Sequence, residues 1–189
     1  MAKLYFKYGV MGSSKSAQTL ITKFNYEELG MRVWLIKPSV DTRDGAGIIK
    51  SRIGLQATAQ VITPEQNLVE EYHKVGRHDV IIADESQFFT PQQIDELREL
   101  VDKEELPVLC FGLRTDFTTH FFPGSMRLME LADSITEIKM VCACGRKATV
   151  NARLDANGKI ITKGDQVFLG GNDSYTAMCH KCWKQKQSE

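Results

Sequence analysis

The sequence has no excess of charge of either sign: Lys plus Arg and Asp plus Glu each total 24 in 189 residues. It therefore offers no basic field to displace counterions from nucleic acid or to hold an anionic membrane, and partnership with either is not expected. No apolar run approaches the ~20 residues that span a bilayer. Met1 to Gly9 also lacks the charged start, apolar core and small-residue cleavage site of a secretory leader. A cytoplasmic chain is the expectation. Internal repeats and low-complexity tracts are missing. So is a disulfide framework, because the five cysteines are unevenly spaced and four of them fall in two tight pairs, a pattern that suits thiolate ligands in a reducing compartment.

A chain that is 42% hydrophobic and 25% charged has enough apolar material for one ordinary domain with a small appendage. Leu4 to Tyr8 reads as a strand running into Gly9, Val10, Met11, Gly12, Ser13, Ser14, Lys15 and Ser16, after which Ala17 to Leu29 reads as a helix stopped by Gly30. Val33 to Lys37 is a second strand, and the polar stretch from Asp41 to Gly54 reads as a mobile surface loop. Val80 to Ala83 is a buried strand ending in Asp84-Glu85, Pro91 to Lys103 a helix, and Val108 to Phe111 a buried strand ending at Gly112. This alternation predicts an α/β fold, a parallel sheet flanked by helices. Ligands of such sheets sit beyond the carboxyl ends of the strands, which brings Gly9 to Ser16, Asp84-Glu85 and Gly112 to Phe117 to one rim. After Ser134 the pattern changes to paired cysteines, a strand-like Ala148 to Leu154 and a turn at Asp155 to Gly158. The expected division is 1–137 for the sheet domain and 138–189 for a small second unit.

The segment Gly9 to Ser16 carries the parts of a phosphate-binding loop: a leading glycine, a lysine for the β and γ oxygens, and a serine hydroxyl for magnesium. Its place between a strand and a helix is the arrangement that anion binding at a helix N-terminus requires. Asp84 suits the acid that holds magnesium in such enzymes. Glu85, facing the other way on an extended chain, suits a base for an attacking hydroxyl. Cys142, Cys144, Cys179 and Cys182 supply four thiolates, enough for a closed structural zinc site. The first pair has a one-residue spacer, so either its backbone is tight or His180 replaces one cysteine. Cys110, inside an apolar strand, reads as core. His73, His78 and His120 read as ordinary surface or loop residues.

With those residues in view, the chain resembles the zinc-containing, tetrameric type of thymidine kinase found in bacteria and as the animal cytosolic enzyme. The resemblance rests on Gly9 to Ser16, Asp41-Thr42-Arg43, Asp84 to Phe89, Gly112 to Phe117, Gly170-Gly171 followed by Tyr175, and the cysteine pairs. It implies a P-loop NTPase-type sheet with a small zinc-binding lasso domain, and transfer of the γ-phosphate of ATP to the 5′-hydroxyl of thymidine, with deoxyuridine as a further acceptor. It also implies Glu85 as catalytic base, with Arg43 near the transferred phosphate and Gln87 on the ATP·Mg2+ side with Asp84 and the loop. Phe88, Leu113 and Phe117 would line the base pocket, the lasso stretch Phe168, Leu169, Gly170 and Gly171 would cover the base, and Tyr175 would lie beside the sugar. A homotetramer and feedback by dTTP come with the family. Two positions depart from its pattern: Ser14 stands where glycine is usual, and Ala17 where threonine is common. A side chain at position 14 is expected to crowd the cradle if the backbone there takes positive φ. The rival reading from the residues is a regulatory P-loop NTPase whose zinc unit binds a partner.

Overall fold

The computed structural model describes residues 1–42, 45, 47–167 and 174–188. Five strands rich in β-branched and aromatic residues, with one short edge strand, form a six-stranded sheet. These are β1 (Leu4–Tyr8), β2 (Val33–Pro38), β5 (Gln60–Ile62), β6 (Val80–Ala83), β7 (Val108–Gly112) and β8 (Ser134–Glu137). Their order is β5-β2-β6-β7-β1-β8, and every neighbouring pair is parallel. The expected α/β class holds.

Both faces of the sheet are buried, as crossover helices require. On one face Leu4, Phe6, Trp34, Ile36 and Ile81 pack with residues of α2 (Leu68–Val75), α3 (Pro91–Lys103) and α4 (Pro123–Leu131). On the other, Leu35, Ile82, Leu109 and Phe111 pack with Leu20 of α1 (Lys15–Glu28). Helix α3 occupies the predicted span because Thr90 forms a reciprocal capping box with Gln93 and Pro91 sits at its first turn. Helix α1 begins two residues before the predicted start, since the loop after β1 turns directly into it and Gln18 N–H donates to Ser14 O at 3.0 Å.

The stretch expected as a loop from Asp41 contains a strand. Ile48–Lys50 (β3) pairs antiparallel with Gln56–Thr58 (β4). Ile49 anchors this hairpin in the α1-side core, and Lys37 Nζ donates to Ile48 O at 3.0 Å, so a short apolar pair outweighs its polar surroundings. Beyond β8, β9 (Val150–Arg153) and β10 (Tyr175–Met178) form a separate antiparallel ribbon followed by α5 (His180–Gln187). Val150, Ala152, Ile160 and Trp183 form its core. A second small core joins Cys142, Ala148 and Cys179 to Val10, in the loop between β1 and α1.

Candidate active site

The loop between β1 and α1 folds tightly at its start. A Cβ at Gly9 would sit 2.6 Å from Ile138 O, which leaves glycine as the residue that fits. Ser14, the position where a glycine was expected from the resemblance, takes φ 63° and ψ 21°, a left-handed conformation in which its side chain makes no capping bond. Lys15 is buried, and its Nζ donates to Val10 O at 2.9 Å, so the ammonium lies inside the turn of the loop. The Ser16 hydroxyl donates to Asp84. Lys15, Ser16, Asp84, Glu85, Met11 and Gly12 help line a cleft of ≈ 430 Å³, within the range of small-molecule sites. A hydroxyl and a carboxylate beside an ammonium are the oxygen ligands and counter-charge that a magnesium triphosphate would use.

Asp84 and Glu85 separate at the end of β6. Asp84 is buried, and Thr19 Oγ1 lies 3.4 Å from its Oδ1. Burial first, then the neighbouring charge of Glu85, pushes the Asp84 acid up to about 7, against the opposing pull of Ser16, a backbone N–H and Lys15. Glu85 diverges because its own backbone is left-handed, at φ 49°, where the strand gives way to a single 3-10 turn over Ser86–Phe88. Such a conformation in a non-glycine residue costs on the order of 1–2 kcal/mol and needs surrounding structure to hold it. Gln87 supplies part of that hold: its Nε2 donates to Glu85 Oε2 at 2.6 Å and its Oε1 accepts Leu113 N–H at 2.9 Å. A Cβ at Gly112 would come within 2.7 Å of Gln87 Oε1, so glycine there makes room for the carboxamide.

A second, smaller cavity opens beyond Glu85, lined by Gln87, Phe88, Leu113, Phe117, Asn151 and Tyr175 among others. Met11, Glu85 and Leu113 line both this cavity and the larger cleft, so the two spaces meet at the Glu85 side chain. Phe88 is held edge-on by Phe122, with centroids 5.5 Å apart. The Arg153 guanidinium covers the Phe117 ring at 3.8 Å, donates from Nε and Nη2 to the Tyr175 hydroxyl at 2.9 and 2.6 Å, and donates from Nη1 to Asp165 O at 3.0 Å. Gln166 Nε2 donates to Asp116 Oδ2 at 2.9 Å, tying the segment before the lasso stretch to the loop after β7. Asn151, Arg153 and Gln166 were not anticipated from the sequence. Gln87, expected on the nucleotide side, lies with the smaller cavity. Arg43 and the lasso stretch Phe168 to Gly171 lie outside the described residues. Asp41, which borders the cleft, forms a buried ion pair with Lys37 at 3.0 Å.

The four paired cysteines converge, with all four sulfurs within 4.8 Å of one another. A zinc ion with ~2.3 Å bonds in a tetrahedron sets its sulfurs about 3.8 Å apart. Cys144 and Cys179 already stand at 3.6 Å, so the set fits that ion. The Cys182 backbone N–H, first among several donors, pulls the Cys179 thiol down to about 6. His180 meets the Trp183 ring at a tilt of 52°, with centroids 5.5 Å apart, and is not part of the cluster. The short first spacer works because Cys142 opens a tight turn, its N–H donating to Arg146 O at 2.7 Å while Gly145 N–H donates back to Cys142 O at 2.8 Å.

A family profile described as thymidine kinase matches residues 2–183. A thymidine kinase of Vibrio parahaemolyticus is 44% identical over 188 residues, 98% of each chain. One from Shewanella oneidensis is 42% identical over 188 residues, again 98% of each. One from Legionella pneumophila is 42% identical over 193 residues, covering 100% of this chain and 92% of the relative.

Proposed function

This chain belongs to the thymidine kinase family, an ATP-dependent phosphotransferase family, and we propose a division of labour among its residues in moving the γ-phosphate of ATP to the 5′-hydroxyl of thymidine. The observation that carries the proposal is the position of Glu85 where the two cavities meet. A phosphate donor in the larger cleft and a nucleoside in the smaller cavity would present their reacting atoms to one another there.

In this reading Gly9 to Ser16 cradle the triphosphate, Lys15 turning from Val10 O to the β and γ oxygens. Ser16 and Asp84 would hold magnesium, which supplies neutralisation of the charge that builds on the transferred group. Glu85 accepts the 5′-hydroxyl proton as that oxygen forms a bond to the γ-phosphorus and the bond to the β–γ bridging oxygen breaks, releasing ADP. Gln87 acts through Glu85, holding its carboxylate towards the junction. Phe88, Leu113 and Phe117 enclose the base, and Tyr175, fixed by Arg153, stands beside the sugar. Arg43 near the transferred phosphate and Phe168 to Gly171 over the base complete the set that the resemblance implies. Zinc on Cys142, Cys144, Cys179 and Cys182 would stiffen residues 138–189, which have only small cores of their own. A cytoplasmic homotetramer under dTTP feedback, without nucleic-acid or membrane partners, is the remainder of the reading. A regulatory NTPase is not favoured, because it gives no reason for an aromatic-lined cavity beside the cleft.

The test is ADP release with magnesium ATP, with and without thymidine, using deoxycytidine and deoxyadenosine as controls. Thymidine-dependent release with thymidine monophosphate as product is expected. Glu85→Gln should lower kcat by roughly two to four orders of magnitude while leaving both KM values near wild type; unchanged turnover in that variant would remove Glu85 from the role of base.

A further inference from the structure

Asn151 sits on β9, outside the main sheet, yet it is only 3% exposed. Its Oδ1 accepts the Met11 N–H at 2.7 Å, and its Nδ2 donates to Thr115 O at 2.9 Å. One partner is a donor and the other an acceptor, so a single orientation of the carboxamide satisfies both. A carboxylate or an aliphatic group of the same size satisfies at most one. Met11 belongs to the phosphate loop, whereas Thr115 leads into Asp116 and Phe117 of the smaller cavity. Val10, next to Met11, is packed into the core formed with Cys142 and Cys179, so the second unit grips this loop at two adjacent residues.

We propose that Asn151 is a positioning residue that couples the two substrate sites: through one buried side chain it ties the phosphate loop to the loop of the nucleoside cavity, so that ordering either tightens the other. The proposal rests on the reading of the smaller cavity as the thymidine site. Coupling between two sites is reciprocal, and it requires an element whose arrangement both ligands bias. A carboxamide bonded to both loops is such an element. Loss of Asn151 would leave a buried N–H and a buried C=O without that partner, loosening both loops together and removing the route by which one senses the other. A strut that only held the two units together would lower stability while leaving the ratio of affinities untouched.

The experiment is calorimetric titration of thymidine into the full-length, zinc-loaded protein, with and without magnesium and a non-hydrolysable β,γ-imido analogue of ATP. In the wild type the analogue is expected to tighten thymidine about tenfold, within the usual range of coupling between sites. In Asn151→Leu that ratio should fall to within about twofold of unity. If the leucine variant does not fold, Asn151→Ser, too short to reach both partners, carries the same expectation. A wild-type ratio near one, or an unchanged ratio in a folded variant, overturns the coupling. Thymidine turnover with a ratio near one refutes this inference alone, whereas no thymidine binding by the wild type refutes the reading of the cavity as well.

Discussion

Replacing Asp84 with asparagine should make the magnesium-free protein more stable above neutrality even as it removes the acid proposed to hold magnesium. The folded protein raises this carboxyl from 3.8 to about 7, chiefly by burying it. Between those values the folded state keeps the proton while the unfolded chain releases it, so stability falls as pH rises through the window, and the penalty is complete above the folded value. About 3 units at ~1.4 kcal/mol each place that penalty on the order of 4 kcal/mol at pH 8. At pH 5 most of it is relieved, and the advantage of Asp84→Asn should shrink by roughly 2 to 3 kcal/mol. Urea unfolding at pH 5 and pH 8 measures the difference, in buffer prepared without magnesium and without chelator so that the cysteine cluster is left intact. Magnesium with ADP should then stabilise the wild type at pH 8 more than it stabilises the variant, because a ligand stabilises a folded state in proportion to how tightly that state binds it. An advantage equal at both pH values, or a wild type more stable than the variant at pH 8, would refute the claim that burial of this charge is what strains the site.

Ser14→Gly relieves a left-handed L-residue worth about 1–2 kcal/mol at a cost of roughly 0.5–1 kcal/mol in unfolded-chain entropy, so the urea midpoint should rise by the equivalent of about 0.5–1 kcal/mol. A lower midpoint would mean that the Ser14 hydroxyl bond to Ser13 O at 2.6 Å outweighs the backbone strain. Cys179→Ser, or zinc removal, should raise the thymidine KM first and the ATP KM as well, since Val10 of the phosphate loop shares a core with Cys142 and Cys179. An ATP KM that stays at the wild-type value after the metal is lost would disconnect that core from the donor site.

Much of the main sheet was legible because its strands are buried on both faces and therefore read as short apolar runs, as at Val80 to Ala83 and Val108 to Phe111. The turn from β1 into α1, the proposed phosphate loop, was legible through its glycines and its place between strand and helix. Other elements hid for definite reasons. Helix α2 is only Leu68–Val75, with two buried residues, too short to give a clear 3.6-residue period. In β3 a single side chain, Ile49, carries the burial. The opposite facing of Asp84 and Glu85 was anticipated from the alternation of an extended chain, but the backbone achieves it differently, by turning left-handed at Glu85 after the strand has ended at Ala83.

Two of the residues that escaped the sequence reading, Asn151 and Arg153, share one cause. Along β9, Val150 and Ala152 are apolar while Asn151 and Arg153 are polar, the alternation that normally means one face in the core and one in water. Val150 and Ala152 do pack inward, against Ile160 and Trp183. The polar face is not in water: Asn151 and Arg153 are 3% and 5% exposed, the first bonded to Met11 in the loop after β1 and the second lying over the Phe117 ring. Alternation along a strand separates two faces without saying what covers the polar one. Here the cover is the rim of another sheet, brought close by the core around Val10 and the cysteine cluster, and that docking depends on contacts more than a hundred residues apart in sequence. Placing an arginine and an asparagine in such a seam is costly unless each polar atom finds a partner, and of the partners they find Met11, Thr115, Phe117 and Tyr175 line the smaller cavity, with Met11 lining the larger cleft as well. The seam between the β9–β10 ribbon and the main sheet is therefore where, in the proposed reading, substrate binding and the stability of the ribbon are joined, and substitutions on that face of β9 should be felt at both cavities before they are felt in the main sheet.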